Sequence, residues 1–120
     1  MTPQTRIATP WRRHLSKALL MTALISAPAA AFGQSAGHEY TVTMSNMDYG
    51  AIPSKLKVGD TIVWVNHDTV IHSVTARDMS FDLRINPGQS AKLTLMTAGK
   101  IAFYCLFHPN MRGSMTVAAK

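Results

Sequence analysis

The chain has 120 residues, one cysteine and a formal net charge of +6, with 12 Lys and Arg against 6 Asp and Glu. This length allows one domain at most, and a single cysteine excludes an intramolecular disulfide. Four of the basic residues lie in the first 33 positions, and the segment from Gln34 onward has eight basic and six acidic residues. Because this segment has no basic run that could bind phosphates, nucleic-acid binding is not expected.

The first 33 residues have the three-part pattern of a secretory signal peptide. A basic segment precedes the apolar run 18–25, and small residues follow up to Gly33. A transmembrane helix needs about 20 apolar residues, whereas this run is shorter and is followed by Pro28. We therefore expect export to the periplasm and no membrane attachment after cleavage. The pair Arg12-Arg13 leaves open whether export uses the general secretory or the twin-arginine route.

The predicted boundaries are a signal peptide over 1–33, cleaved between positions 31 and 36, and a mature domain over 34–120. Short segments in this domain alternate polar and apolar residues and are separated by turns that contain Gly, Pro or Asn. This pattern predicts an all-β sandwich. We also expect one helical turn over 79–84. The predicted strands, in chain order, are 38–44, 55–58, 61–66, 72–75, 90–95, 100–105 and 113–118.

A thiolate, an imidazole and a thioether follow the strand predicted over 100–105, at Cys105, His108 and Met111. An unpaired thiol in an oxidising compartment needs burial or a bound metal. A buried structural cysteine and a Cys–His nucleophile are the alternatives, although no third group is placed to orient His108 for catalysis. Zinc also accepts thiolate and imidazole, but the thioether favours copper that cycles between Cu(I) and Cu(II).

A trigonal His₂Cys copper site needs a second imidazole. The mature chain offers His38, His67 and His72. We expect His72, because His38 lies near the new N-terminus and His67 lies in a polar turn. If processing left Ala36 as the first residue, His38 would be third in the chain, and an amino-terminal copper site could form there.

Methionines other than Met111 are expected to pack or to lie on the surface. Met115 is the rival for the axial position, but it shares a strand face with Val117 and is assigned to the core. Met47 is expected to lie in a patch near the site.

From Val42 to Ala118 the chain resembles the cupredoxins, the small blue copper proteins. It is most similar to the amicyanins, and less so to pseudoazurins and plastocyanins. The spacing Cys-x₂-His-x₂-Met is the most specific feature. The matching motifs are Asn46-Met47-Asp48-Tyr49, Lys57-Val58-Gly59-Asp60-Thr61, Trp64-Val65-Asn66, His72, and Cys105-x₂-His108-Pro109-x-Met111-Arg112-Gly113.

The resemblance implies a Greek-key β-sandwich that binds one copper ion. His72, Cys105 and His108 would be equatorial ligands, and Met111 would be the weak axial ligand. The implied function is one-electron transfer in the bacterial periplasm by a non-enzymatic monomer, through transient contacts with a quinoprotein dehydrogenase and a c-type cytochrome. A periplasmic copper-delivery protein is the alternative.

Two departures from the family pattern bear on these expectations. Ser73 follows the first histidine, where the family commonly has Asn, so the side-chain link between the ligand segments should differ. Phe107 and Asn110 stand where amicyanins tend to have Pro and Phe, and Asn110 makes the surface around His108 more polar.

Overall fold

Residues 36–120, the part of the chain that the computed structural model describes, contain nine β-strands and no helix. The predicted signal peptide lies outside the described residues. In this part no helix is long and apolar enough to cross a membrane. The strands are β1 (Glu39–Ser45), β2 (Asp48–Tyr49), β3 (Leu56–Lys57), β4 (Thr61–Asn66), β5 (His72–Ala76), β6 (Asp82–Ile85), β7 (Ser90–Thr94), β8 (Gly99–Tyr104) and β9 (Arg112–Ala118).

The strands form two sheets, with the orders β2-β1-β4-β7 and β3-β9-β8-β5-β6. The pairs β1–β4 and β3–β9 are parallel, and the other pairs are antiparallel. Parallel neighbours need long crossover connections, so strands that are distant in sequence lie side by side. The predicted all-β sandwich is confirmed.

The core lies between the sheets and is formed by every second residue along the strands. Along β4, Ile62, Trp64 and Asn66 are buried and alternate with half-buried residues. The rings of Tyr49, Trp64 and Phe103 meet edge to face, with centroids 5.0 to 5.8 Å apart. Such pairs add to the stabilisation that burial alone gives. This aromatic cluster joins the two sheets, because Trp64 lies in one and Phe103 in the other.

The helical turn predicted over 79–84 is wrong. A turn around Met79, which has a φ of 61°, leads into the strand β6, and β6 pairs with β5 so that Asp82 lies opposite Thr75. The alternation of Phe81, Leu83 and Ile85 with polar residues has the period of a strand, but the run is too short for the period to stand out in the sequence.

The sequence analysis also missed β2. Asn46 and Met47 have φ values of 53° and 62° and form a two-residue turn between β1 and β2. Positive φ at both positions is typical of a type I′ hairpin, for which Asn-Gly is the usual signal. Met47 at the second position hides that signal, and the turn places its side chain on the surface, where it is 44% exposed.

Candidate metal centre

Two segments at one end of the sandwich supply the candidate ligands. His72 is the first residue of β5, and Cys105, His108 and Met111 lie on the loop between β8 and β9. Two hydrogen bonds within the loop hold it closed: the Cys105 N–H donates to the Met111 carbonyl at 3.0 Å, and the Met111 N–H donates to the His108 carbonyl at 2.9 Å. The tight spacing from Cys105 to Met111 thus forms one compact turn.

The nearest donor atoms of His72, Cys105 and His108 form a triangle. The two Nδ1 atoms are 3.3 Å apart, and Cys105 Sγ lies 3.9 Å from His72 Nδ1 and 3.6 Å from His108 Nδ1. A trigonal ion bonded to nitrogen at about 2.0 Å and to sulfur at about 2.3 Å would give N–N and N–S edges of about 3.5 and about 3.7 Å. The triangle therefore fits a trigonal His₂Cys metal site, and within residues 36–120 it is the one such cluster.

Burial differs between the candidate ligands. His72 and Cys105 are fully buried, Met111 is 2% exposed, and His108 is partly exposed. The buried thiol is consistent with a metal-bound as well as a structural cysteine, but the two imidazole nitrogens facing it distinguish the two cases. A cysteine that only fills space has no need of two such polar neighbours.

Ser73 contacts both ligand segments. Its backbone N–H donates to Cys105 Sγ at 3.3 Å, and its hydroxyl oxygen accepts the Leu106 N–H at 2.8 Å. The hydrogen bond to sulfur comes from the backbone, so it does not require an Asn side chain at this position. A donor aimed at the sulfur stabilises the thiolate form, which is the form that binds metal.

Asp68 contacts the candidate ligand His72, which the sequence analysis did not predict. Its carboxylate accepts the N–H groups of Asn46 and Met47 at 2.7 and 2.9 Å and lies 2.7 Å from His72 Nε2. With Nε2–H donated to Asp68, Nδ1 of His72 is free to face Cys105 and His108. The sequence pattern of 66–69 indicated only a solvated turn, although a carboxylate four residues before the histidine was a usable signal.

The pKa of Asp68 is lowered by these contacts. The Met47 N–H has the largest effect, followed by the His72 ring; burial acts in the opposite direction and is outweighed. The carboxylate is thus held in its charged form, which is the better acceptor for the His72 ring.

The other two histidines within residues 36–120, His38 and His67, are not part of this cluster. His67 is exposed. His38 is also exposed, and its backbone N–H donates to Asp60 Oδ1 at 2.8 Å. An amino-terminal site at His38 would depend on a cleavage position that lies outside the described residues.

The other methionines within residues 36–120 are either buried in the core or exposed on the surface, as predicted. Met115 and Val117 are each 2% exposed and belong to the core, which confirms the packing role assigned to Met115. Met47 lies beside His108 in a shallow cleft, with an exposed side chain. We call the residues that surround His108 there the docking patch: Met47, Phe107, Pro109 and Asn110.

The cupredoxin-like domain model matches residues 16–117 of the chain. The chain belongs to the cupredoxin-like family. It is 33% identical over 90 residues to the methylamine utilization protein MauL of Methylorubrum extorquens, covering 72% of this chain and 79% of that protein. It is 32% identical over 82 residues to the amicyanin of Paracoccus denitrificans, covering 63% of each.

Solved amicyanin structures share the fold of this cupredoxin. A Cu(I) form of an amicyanin variant has a TM-score of 0.58 at 30% identity, covering 70% of this chain and 86% of that chain. A reduced form of another variant has a TM-score of 0.57 at 32% identity, covering 66% and 81%. The predicted resemblance to amicyanins is confirmed. Family membership and the His72–Cys105–His108 triangle together support the predicted copper cofactor.

Proposed function

We propose that this cupredoxin is an electron carrier whose copper ion is held by His72, Cys105 and His108, with Met111 as the weak axial ligand. The observation that supports it best is the triangle of two imidazole nitrogens and one sulfur with edges of 3.3 to 3.9 Å. When bound there, copper supplies a centre that gains or loses one electron. Two of the three donors are fully buried, so the surrounding protein defines their positions.

Each ligand is held by a neighbour that restricts its movement. Asp68 orients the ring of His72, and Ser73 contacts the sulfur of Cys105 through its N–H. The loop hydrogen bonds hold the backbone at His108 and Met111. Ligands that cannot rearrange make the change between two oxidation states less costly. Four protein donors also leave no position for a substrate, which agrees with a carrier and not with an enzyme.

The route for the electron is proposed at the partly exposed edge of His108. The docking patch around it contains Phe107 at 41% and Met47 at 44% exposure, so apolar surface surrounds the histidine. A small patch of this kind suits weak, transient contacts with redox partners.

The partners and the location are proposed by analogy with the relatives. One relative is named for methylamine utilization and another is an amicyanin. We propose that this protein accepts electrons from a quinoprotein amine dehydrogenase and donates them to a c-type cytochrome. We place it in the periplasm, because the sequence predicts a signal peptide over 1–33, and we propose that it acts there as a monomer.

Copper delivery, the second candidate, is less well supported. A delivery protein must release its ion, whereas a buried thiolate and a buried imidazole would retain it.

The proposed site is tested by adding Cu(II) to the mature protein and recording the visible spectrum. An intense copper–thiolate absorption band with one copper per chain is expected. Cys105→Ser should abolish the band, and His38→Ala, at an exposed histidine outside the cluster, should leave it unchanged. A colourless wild-type protein would rule out the proposed site.

A further inference from the structure

A chain of hydrogen bonds connects the ligand loop to a carboxylate on the neighbouring strand. The Leu106 N–H donates to Ser73 Oγ at 2.8 Å, Ser73 Oγ lies 2.9 Å from Thr75 Oγ1, and Thr75 Oγ1 donates to Asp82 Oδ1 at 2.8 Å. Ser73 and Thr75 are fully buried, whereas the side chain of Asp82 is 27% exposed. The chain thus runs from the peptide that follows Cys105 to the edge of the sheet.

The chemistry of the groups fixes the direction of every bond. An ionised carboxylate only accepts hydrogen bonds, so the Thr75 hydroxyl donates to Asp82. The Thr75 hydroxyl has one proton, and therefore the Ser73 hydroxyl must donate to Thr75 Oγ1. The Ser73 oxygen is then left to accept the Leu106 N–H. All donors point toward Asp82, and bonds aligned in this way strengthen one another.

The strand register makes this chain possible. Ser73 and Thr75 are two residues apart on β5 and so point to the same face, and Thr75 lies directly opposite Asp82 on β6. Ser73 also donates its backbone N–H to Cys105 Sγ, so it holds the sulfur and the next peptide N–H at once. Arg84 Nε lies 3.3 Å from the second oxygen of Asp82, in an exposed position where such pairs contribute little.

We propose that Ser73, Thr75 and Asp82 are positioning residues that lock the Cys105–Leu106 peptide against β5 and transmit the negative charge of Asp82 toward the thiolate. This inference rests on the proposed copper site. It gives a role to Ser73, which replaces the family's usual Asn, and to two residues that contact none of the ligand side chains.

The transmitted charge should favour the more positive oxidation state, Cu(II), and so lower the reduction potential. Removing the Thr75 hydroxyl interrupts the chain and leaves the charge of Asp82 in place, whereas Asp82→Asn removes the charge and keeps an acceptor. Both changes should therefore raise the potential. Because they act through one chain, their effects should not add.

The test is a double-mutant cycle on the reduction potential of the copper-loaded protein, with Thr75→Val, Asp82→Asn and the double variant. Each single variant should have a higher potential, and Asp82→Asn should shift it less in the Thr75→Val background than alone. Thr75→Ser keeps a hydroxyl at this position and should have the same potential as the wild-type protein. An unchanged potential in Thr75→Val, or an equal Asp82→Asn shift in both backgrounds, would overturn the proposal.

A second measurement does not depend on copper. Amide hydrogen exchange at Leu106 in the copper-free protein should be about tenfold faster in Thr75→Val than in Thr75→Ser, which is the change expected when one hydrogen bond is weakened. Equal rates would show that the hydrogen-bond chain does not anchor the loop.

If the wild-type protein forms no copper–thiolate band, the proposed function fails, and the Leu106 exchange rates still decide whether the anchoring exists. Asp82→Asn, at a partly exposed side chain, keeps both measurements available should Thr75→Val fold poorly.

Discussion

At the scale of single residues, the candidate site is defined as much by the neighbours of the ligands as by the ligands. Asp68 and Ser73 each contact a candidate ligand and a second segment of backbone. A carboxylate bonded to a metal-binding imidazole increases its basicity and fixes its orientation. The affinity of the site for copper should therefore depend on Asp68 even though Asp68 is not a ligand.

Asp68→Asn should weaken Cu(II) binding by about tenfold, at the low end of what loss of such a partner costs. The measurement is a competition titration against a chelator of known affinity. Asp78→Asn is the matched control, because Asp78 accepts the Ser80 N–H and has no contact with the cluster. Equal affinities in wild type and Asp68→Asn would show that the carboxylate does not support His72.

Glycine is required at position 113 because the ring of Phe103 packs against it, and not because of its backbone conformation. A Cβ at this position, two residues after Met111, would overlap the ring of Phe103 on β8. Because Phe103 is packed against Tyr49 and Trp64, it cannot move away without disturbing the aromatic cluster.

Gly113→Ala should lower the free energy of unfolding by about 1–3 kcal/mol, the usual cost of overpacking a core. Urea denaturation of the copper-free protein measures this change. Ser114→Ala, at the exposed position that follows, is the control and should change stability little. A Gly113→Ala protein as stable as wild type would mean that Phe103 has room to shift.

At the scale of elements, Asp60 connects the segment before β1 to the end of β3. Its buried carboxylate accepts the N–H groups of His38, just before β1, and of Lys57, at the end of β3. Burial raises the pKa of Asp60, but the two N–H groups, assisted by the charges of His38 and Lys57, outweigh it, so the pKa lies below its usual value.

This lowered pKa gives a prediction for acid stability. A carboxyl whose pKa is lower in the folded state stabilises the protein fully above its unfolded pKa of about 3.9 and loses that contribution as the pH falls toward the folded value. Asp60→Asn should therefore be less stable at pH 7 and should lose less stability between about pH 5 and pH 2.

The urea midpoints of the copper-free protein, measured across this pH range, give the slope of stability against pH. Glu39→Gln, which removes an exposed carboxylate bonded to Lys92, serves as the control. An acid slope in Asp60→Asn as steep as in wild type would contradict the assigned role.

At the scale of the whole molecule, the site lies at one end of the sandwich and presents His108 within the docking patch. If two molecules exchange electrons through this patch, a charge placed on it should repel the second copy. Met47→Lys should therefore slow electron self-exchange by about tenfold at low ionic strength and less at high salt.

The self-exchange rate is measured by NMR line broadening in mixtures of oxidised and reduced protein. Met96→Lys adds the same charge at a methionine that is 77% exposed and lies outside the patch. Equal slowing by both variants would indicate a general effect of charge and would exclude the patch as the route.

The sequence predicted most of the fold because alternation within a strand is a local signal. It placed the strand over 61–66 at the bounds the structure has for β4. It missed β2 and β6, which are short and have unusual or unrecognised turns, and it could not give the parallel pairing of β1 with β4, because strand pairing depends on contacts between distant segments.

The sequence predicted the candidate ligands, most directly those close together in the chain, but it did not predict the residues that support them. The Cys105–Met111 spacing and the need for a second imidazole led to the cluster that the structure brings together, apart from the axial role of Met111, which stays a prediction. Asp68 and Asp82 were not found, because their roles depend on a turn and a strand register that bring distant backbone and hydroxyl groups to them.

The proposed copper site is expected to cycle by one electron without rearranging. The most direct test is a reversible redox titration of the copper-loaded mature protein, followed at the copper–thiolate absorption band. The band should disappear on addition of one electron equivalent per chain and return fully on reoxidation, over repeated cycles. Loss of copper on reduction, or a band that does not return, would contradict an electron carrier.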